Sequence, residues 1–248
     1  MKRTVTFGEI MLRLKTPEHM RILQTDAFEA SYGGAEANVA VSLAVLKDPV
    51  SFVTKLPENP VGTAALNEVR RYGADTSKVV IGGSRLGIYF FEKGTDIRPT
   101  NVVYDREGSA LALAKPEEFH WDEILKDTDI FYFSGVTPAV SENIAKAVLE
   151  ALKYCKAHGI ETVCDLNYRS KMWDTKKAQS VMSELMNYVT LCIANDEDFE
   201  SSLGIHAYDG DISKGIDQIE SYKAGMKEIQ NRYPNCKAVA SVLRNMYT

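Results

Sequence analysis

Four short runs of the chain change character in the same way: an apolar stretch gives way, within one or two residues, to glycine or to polar side chains. Val5-Thr6-Phe7 leads to Gly8-Glu9, and Phe131-Tyr132-Phe133 to Ser134-Gly135. Thr162-Val163-Cys164 leads to Asp165-Leu166-Asn167-Tyr168-Arg169, and Leu191-Cys192-Ile193-Ala194 to Asn195. Such apolar runs suit strands buried on both faces. Open α/β sheets bind ligands outside the carboxyl ends of their strands, so the four endings are expected to meet in one crevice. Alternation along a strand is expected to turn Asp165, Asn167 and Arg169 to a common side as theirs emerges.

From about residue 129 the pattern alternates strand and helix. Ile130 to Phe133 precedes a helix opening at Ser141, with Ile144, Val148, Leu152 and Cys155 at helical spacing and Gly159 as its stop. Then come a strand from Thr162 to Leu166, a helix over about Thr175 to Tyr188 and a strand from Thr190 to Ala194. A long helix over about Lys214 to Tyr233 leads to a last strand from Ala238 to Leu243. Towards the N-terminus the pattern gives strands near Val5 and Phe52 and helices near Ala37 to Leu46 and Gly62 to Tyr72. This alternation predicts an α/β fold with a parallel sheet between helices.

Two segments break the rhythm. Residues 12–33 and 85–109 carry strand-like runs such as Gly87-Ile88-Tyr89-Phe90-Phe91 and Asn101-Val102-Val103-Tyr104. Each leaves the core and returns, which predicts one small antiparallel sheet acting as a lid, with residues 1–11, 34–84 and 110–248 forming the core. Apolar side chains are expected on both faces of that sheet, which predicts a homodimer formed through the lid.

At 248 residues with a formal net charge of -5, the chain can bury a full core and carries no basic footprint for nucleic acid. No run of 18 apolar residues is present to cross a membrane, and the start, Met1-Lys2-Arg3-Thr4-Val5, passes directly into a strand pattern. The expectation is a cytoplasmic protein whose cysteines, among them Cys164 and Cys192 inside strand runs, are reduced and buried.

Gly33-Gly34-Ala35-Glu36-Ala37-Asn38 joins a lid strand to an apolar helix, where paired glycines let the backbone approach an oxygen-rich ligand. Together with Gly8-Glu9-Ile10-Met11-Leu12-Arg13-Leu14, Asp165-Leu166-Asn167-Tyr168-Arg169 and Asn195-Asp196-Glu197-Asp198, in that order, this segment resembles the ribokinase-like (PfkB) carbohydrate kinases, most of all their 2-keto-3-deoxygluconate kinases. The resemblance runs over essentially the whole chain. It implies a parallel-sheet core with a β lid, ATP and Mg²⁺ as cofactors, and phosphoryl transfer to a sugar hydroxyl.

The roles it implies fall on matching residues. Gly33, Gly34 and Asn38 would hold sugar hydroxyls, with Glu9 nearby, and Asn167 would stand on the same side. Tyr89, Tyr104 and Arg106 from the lid, with Arg169, would hold the substrate. Asn195 would serve the nucleotide and Asp198 the metal, with Asp one methylene shorter than the Glu of the family's Asn-x-x-Glu element. Two arginines and two tyrosines suit a carboxylate, so a sugar acid is expected and a neutral ketose, as in fructokinases, is the alternative. A non-catalytic sugar-acid binding module is a third reading. The family's Gly-Ala-Gly-Asp run, which carries the catalytic base, is absent from these residues, Gly210-Asp211 being a superficial likeness in a polar turn. The base is therefore expected beyond Thr248, in a longer protein of which this chain would be a catalytically silent part.

Overall fold

The computed structural model describes residues 1–206 and 219–242. The expected first turn of the long helix at Lys214, the Gly210-Asp211 pair and the strand end at Leu243 lie outside those residues. The chain divides into two compact units, Met1–Phe119 and His120–Thr248. No helix among the described residues is long and apolar enough to cross a membrane.

The first unit contains, in order, β1 (Thr4–Phe7), β2 (Met11–Lys15), β3 (Glu29–Gly33), α1 (Ala35–Val45), β4 (Val50–Val53), β5 (Lys55–Leu56), α2 (Pro60–Arg70), β6 (Val80–Ile81), β7 (Ile88–Glu92) and β8 (Asn101–Asp105). β1 and β4 run parallel, Thr4 opposite Val50 and Phe7 opposite Val53, with every residue of both buried. Phe52 and Val50 pack with Ala37 and Ala40 of α1 and with Ala65 and Val69 of α2. Helix α2 starts where Pro60 fixes the backbone and the Asn59 side chain accepts the Val61 and Gly62 N–H groups.

The lid is a four-stranded sheet in the order β3-β2-β7-β8. Its two hairpin-like halves are antiparallel, but β2 and β7 pair in parallel, with Leu12 opposite Ile88 and Lys15 opposite Phe91. The expected all-antiparallel sheet is thus a mixed one. Topology explains it: β2 and β7 are both outgoing strands, β3 and β8 both returning ones, and the outgoing pair meets in the middle. Register bears out apolar side chains on both faces: one carries Met11, Phe91 and Val102 beside Glu29, Ser31, Arg13, Lys15, Tyr89 and Tyr104, and the other carries Ala30, Leu12, Leu14, Ile88, Phe90 and Val103.

The second unit contains α3 (Trp121–Ile124), β9 (Ile130–Ser134), α4 (Val136–Val140), α5 (Glu142–His158), β10 (Glu161–Asp165), α6 (Thr175–Met186), β11 (Leu191–Ile193), α7 (Asp196–Leu203), α8 (Ile219–Arg232) and β12 (Ala238–Ala240). Its strands lie side by side in the order β9-β10-β11-β12, all parallel. Helix α5 follows the sequence pattern closely. The Ser141 hydroxyl accepts the Ile144 N–H at its start, and Gly159 ends it with φ of 70°, a left-handed conformation that favours glycine. Ile144, Val148, Leu152 and Cys155 form its buried stripe. Burying each of the larger aliphatic side chains stabilises the unit by roughly 1.5–3 kcal/mol, and Leu152→Ala would forfeit about 2–5 kcal/mol with the cavity it leaves. Cys164 and Cys192 are free and buried, as expected, and so are Cys155 and Cys236.

Candidate active site

In the first unit the site residues gather where the lid strands enter and leave. Gly34 opens α1, and a Cβ there would lie 1.8 Å from the Glu9 carbonyl oxygen, so the turn closes directly against the chain leaving β1. Gly33 is different. A Cβ there would meet only the Asn38 Oδ1 and the Tyr89 hydroxyl, each at 3.7 Å, so Gly33, Asn38 and Tyr89 border one open corner. Tyr89 stands opposite Tyr104 in the β7–β8 ladder, with ring centroids 5.8 Å apart. Burial pushes the Tyr89 phenol above its ordinary value, and the Arg13 guanidinium offsets part of that rise.

Glu9 is only 5 % exposed, and its carboxylate has three donors. Arg106 donates through Nε at 3.0 Å and through Nη2, and the Ser109 hydroxyl donates at 2.7 Å. The Arg106 guanidinium also lies over the Tyr104 ring, 5.7 Å from its centroid. The expected sugar neighbour Glu9 and the expected lid arginine therefore form one staple between the exit of β1 and the return from β8.

In the second unit three of the four expected strand exits stand side by side. Ser134, Asp165 and Ile193 are in register at the carboxyl ends of β9, β10 and β11. The exits are drawn close by a glycine: a Cβ at Gly135 would lie 2.1 Å from the Leu166 carbonyl oxygen, and the Gly135 N–H donates to Asp165 O at 2.8 Å. The fourth exit, Gly8-Glu9, belongs to the first unit.

Alternation does not carry past Asp165. The strand ends there, and Asn167 has φ of 39°, so Asp165, Asn167 and Arg169 are not successive residues of one strand face. Asp198 holds the turn: its Oδ1 accepts the Tyr168 N–H at 2.7 Å and its Oδ2 the Asn195 N–H at 3.0 Å. Asn195 returns a bond, its Oδ1 accepting the Asp198 N–H at 3.0 Å, which completes a capping box at the start of α7. Asp198 is 3 % exposed. Arg169 is exposed and donates through Nη1 to the Tyr168 carbonyl at 2.8 Å.

Asp165 is the perturbed acid of this group. Burial first, and the neighbouring Asp198 carboxylate second, push its carboxyl up from 3.8 to about 6, while the Asn167 N–H and Arg169 pull the other way. Half-buried Asp165 and buried Asp198 bring two carboxylates near each other, hard oxygen donors of the kind Mg²⁺ takes, and among the described residues no cluster of three or more such ligands is present. Both Asp198 oxygens accept backbone N–H groups.

Two residues escaped the sequence reading. Glu36, in the first turn of α1, is 1 % exposed, and a Cβ at Gly8 would overlap its carboxylate. A lone acid among alanines beside a strand-ending glycine was the available signal. Arg13 lies directly opposite Tyr89, on the same lid face. Its position at an alternate site of a lid strand was the signal, hidden among the leucines around it.

Residues 1–234 match the model of pfkB family carbohydrate kinases, and the chain belongs to that family. It is 38 % identical over 207 residues to a 2-dehydro-3-deoxygalactonokinase of Haloferax volcanii, a match that covers 84 % of this chain and 64 % of the relative. The chain thus spans just under two thirds of that relative's length. Among solved structures it is similar to a 2-dehydro-3-deoxygluconokinase of Thermotoga maritima, with a TM-score of 0.91 and 46 % identity over 98 % of this chain and 72 % of that one. A sugar kinase of Pyrococcus horikoshii, solved in complex with ATP, shares the fold with a TM-score of 0.70 at 23 % identity, covering 79 % of this chain and 64 % of that one. The fold is accordingly the α/β type of these kinases, with a mostly parallel sheet, surrounding helices and small extra sheets.

Proposed function

We propose that this chain supplies the sugar side of an ATP-dependent sugar-acid kinase, which transfers the γ-phosphoryl group to the 6-hydroxyl of 2-keto-3-deoxygluconate or a close relative. The observation that carries the reading is the open corner bordered by Gly33, Asn38 and Tyr89, with Tyr104 beside Tyr89 on the same lid face. In this reading Gly33, Gly34 and Asn38 meet sugar hydroxyls, and Tyr89 and Tyr104 lie over the ring. Arg106, oriented by Glu9, closes the lid end, and Asn167 and Arg169 come from the β10 turn. Asn195 serves the nucleotide and Asp198, with Mg²⁺, its phosphates. The metal supplies charge neutralisation when bound. The chain's own contribution is positioning, the main requirement of phosphoryl transfer. The 248 residues hold no Gly-Ala-Gly-Asp run, so turnover is proposed for a protein that carries one. A cytoplasmic location, where ATP is available, fits this chemistry. A second copy would cover the lid face around Leu14, Phe90 and Val103, the last 46 % exposed.

One observation favours the neutral-ketose alternative: the Arg106 charge is already answered by Glu9. Calorimetric titration with 2-keto-3-deoxygluconate and with D-fructose separates the two. Arg169→Ala is expected to weaken the sugar acid by about 2–5 kcal/mol and to leave fructose nearly unchanged. Equal losses for both sugars would favour the ketose reading.

A further inference from the structure

The exit of β1 and the start of α1 are fitted together at two points. At the first, Gly34 leaves room for the Glu9 carbonyl oxygen, which a Cβ would approach to 1.8 Å. The second fit runs the other way. A Cβ at Gly8 would lie 2.0 Å from Oε2 of Glu36, 2.3 Å from its Cδ and 2.7 Å from its Cγ, so the end of the Glu36 side chain occupies the space that a side chain at residue 8 would take.

Packing alone does not call for an acid at this place. Glu36 is 1 % exposed, and withdrawing a carboxylate from water costs more than burying an aliphatic chain, a cost that the first turn of a helix offsets only in part. Its planar end lies against a residue with no side chain, a fit that a branched aliphatic end does not reproduce. Position in the helix supplies the second observation. Asn38, two residues on, stands about 200° round the helix axis from Glu36, the acid buried and the amide exposed. Side-chain groups lie roughly 5 Å from a helix axis, so a rotation of about 20° in this turn swings the Asn38 amide by about 2 Å. That amide borders the open corner, its Oδ1 facing the bare side of Gly33.

We infer that Glu36 is a positioning residue: wedged against Gly8, it fixes the rotation of the first turn of α1 and through it the place of Asn38, without itself touching a substrate. The role in binding rests on the sugar-acid kinase reading, whereas the fit of Glu36 to Gly8 stands without it. A displacement of about 1 Å in a positioning group can cost on the order of a hundredfold, so a loosened turn is enough to be felt at the corner.

Thermal melting of the wild-type chain, Gly8→Ala, Glu36→Ala and the double variant tests the fit. Gly8→Ala is expected to lower the melting temperature, and to lower it less in the Glu36→Ala background, where the methyl has room. Equal losses in both backgrounds overturn the inference. Isothermal titration with 2-keto-3-deoxygluconate tests the role. Glu36→Gln, planar and of the same length, is expected to keep Kd within about threefold, and Glu36→Leu to raise it about tenfold or more while melting no lower than Glu36→Ala. A Glu36→Leu variant with the wild-type Kd, or a Glu36→Gln variant as weak as Glu36→Leu, overturns the positioning role and leaves the sugar-acid reading intact. A wild-type chain that binds no sugar acid removes that reading and the role in binding with it, and the melting comparison then reports on the fit alone.

Discussion

The two units handle their withdrawn acids, Glu9 buried and Asp165 half-buried, in opposite ways. Glu9 in the first unit is ringed by donors, a guanidinium and a hydroxyl, so its charge is fully answered. Asp165 in the second unit stands beside another carboxylate, Asp198, which helps push its carboxyl up to about 6. The first arrangement fixes a lid to its core. The second holds electrostatic stress that a proton or a cation relieves.

The contrast can be broken most forcefully at Glu9. Glu9→Ala leaves the Arg106 guanidinium, with 16 % of its side chain exposed, without its carboxylate, and is expected to cost about 3–5 kcal/mol in urea denaturation. A loss below about 1 kcal/mol would show that the staple is solvated and that the two units do not differ as described. Next in size is Gly34→Ala. A Cβ 1.8 Å from the Glu9 carbonyl oxygen forces a backbone shift, with an expected loss of roughly 1–3 kcal/mol.

At Asp165 the sign is reversed. A carboxyl whose folded pKa is raised favours the protonated protein, so its contribution is most favourable below pH 3.8 and declines as pH rises through the window from 3.8 to about 6. Asp165→Asn is therefore expected to be more stable than wild type above pH 6, by on the order of 1 kcal/mol without Mg²⁺, the advantage vanishing towards pH 4. Paired denaturation curves at pH 4, 5, 6 and 7 measure it, and a constant difference across that range would remove Asp165 as the stressed group. The smallest effect is expected at Gly33→Ala, where the new methyl meets only ordinary contacts at 3.7 Å. Folding should change by less than about 1 kcal/mol, a typical limit where nothing clashes. Sugar binding should fall because the methyl enters the open corner. A stability loss equal to that of Gly34→Ala would mean that the corner is closed.

Much of the second unit was legible because its signals are local. Ser141 and Gly159 bracket α5 within a few residues of the apolar stripe they serve, and each strand of the parallel sheet is an apolar run with a polar ending. What failed was any inference that crossed a break in regular structure. Alternation from Asp165 to Arg169 presumed a strand that stops at Asp165, and the one local mark of the positive φ at Asn167 was the asparagine itself, a residue enriched in that conformation. The lid was legible as two excursions but not as a mixed sheet, because parallel pairing of β2 with β7 depends on register between distant segments. The Glu9–Arg106 staple was hidden for the same reason. Each residue was noticed singly, and their engagement of one another appears only in three dimensions.

That parallel pairing also bears on how the chain is made. As it leaves the ribosome, β2 and β3 can close on each other at once, yet Leu12 must wait for Ile88 before its other edge is filled. At typical elongation rates that wait is on the order of several seconds. Throughout it the nascent hairpin offers Leu12 and Leu14 along an unpaired strand, the kind of surface that chaperones recognise and other nascent chains stick to. Arg13 and Lys15, on the opposite face, alternate with those leucines on the same strand and so place charged gatekeepers along its most vulnerable edge during synthesis.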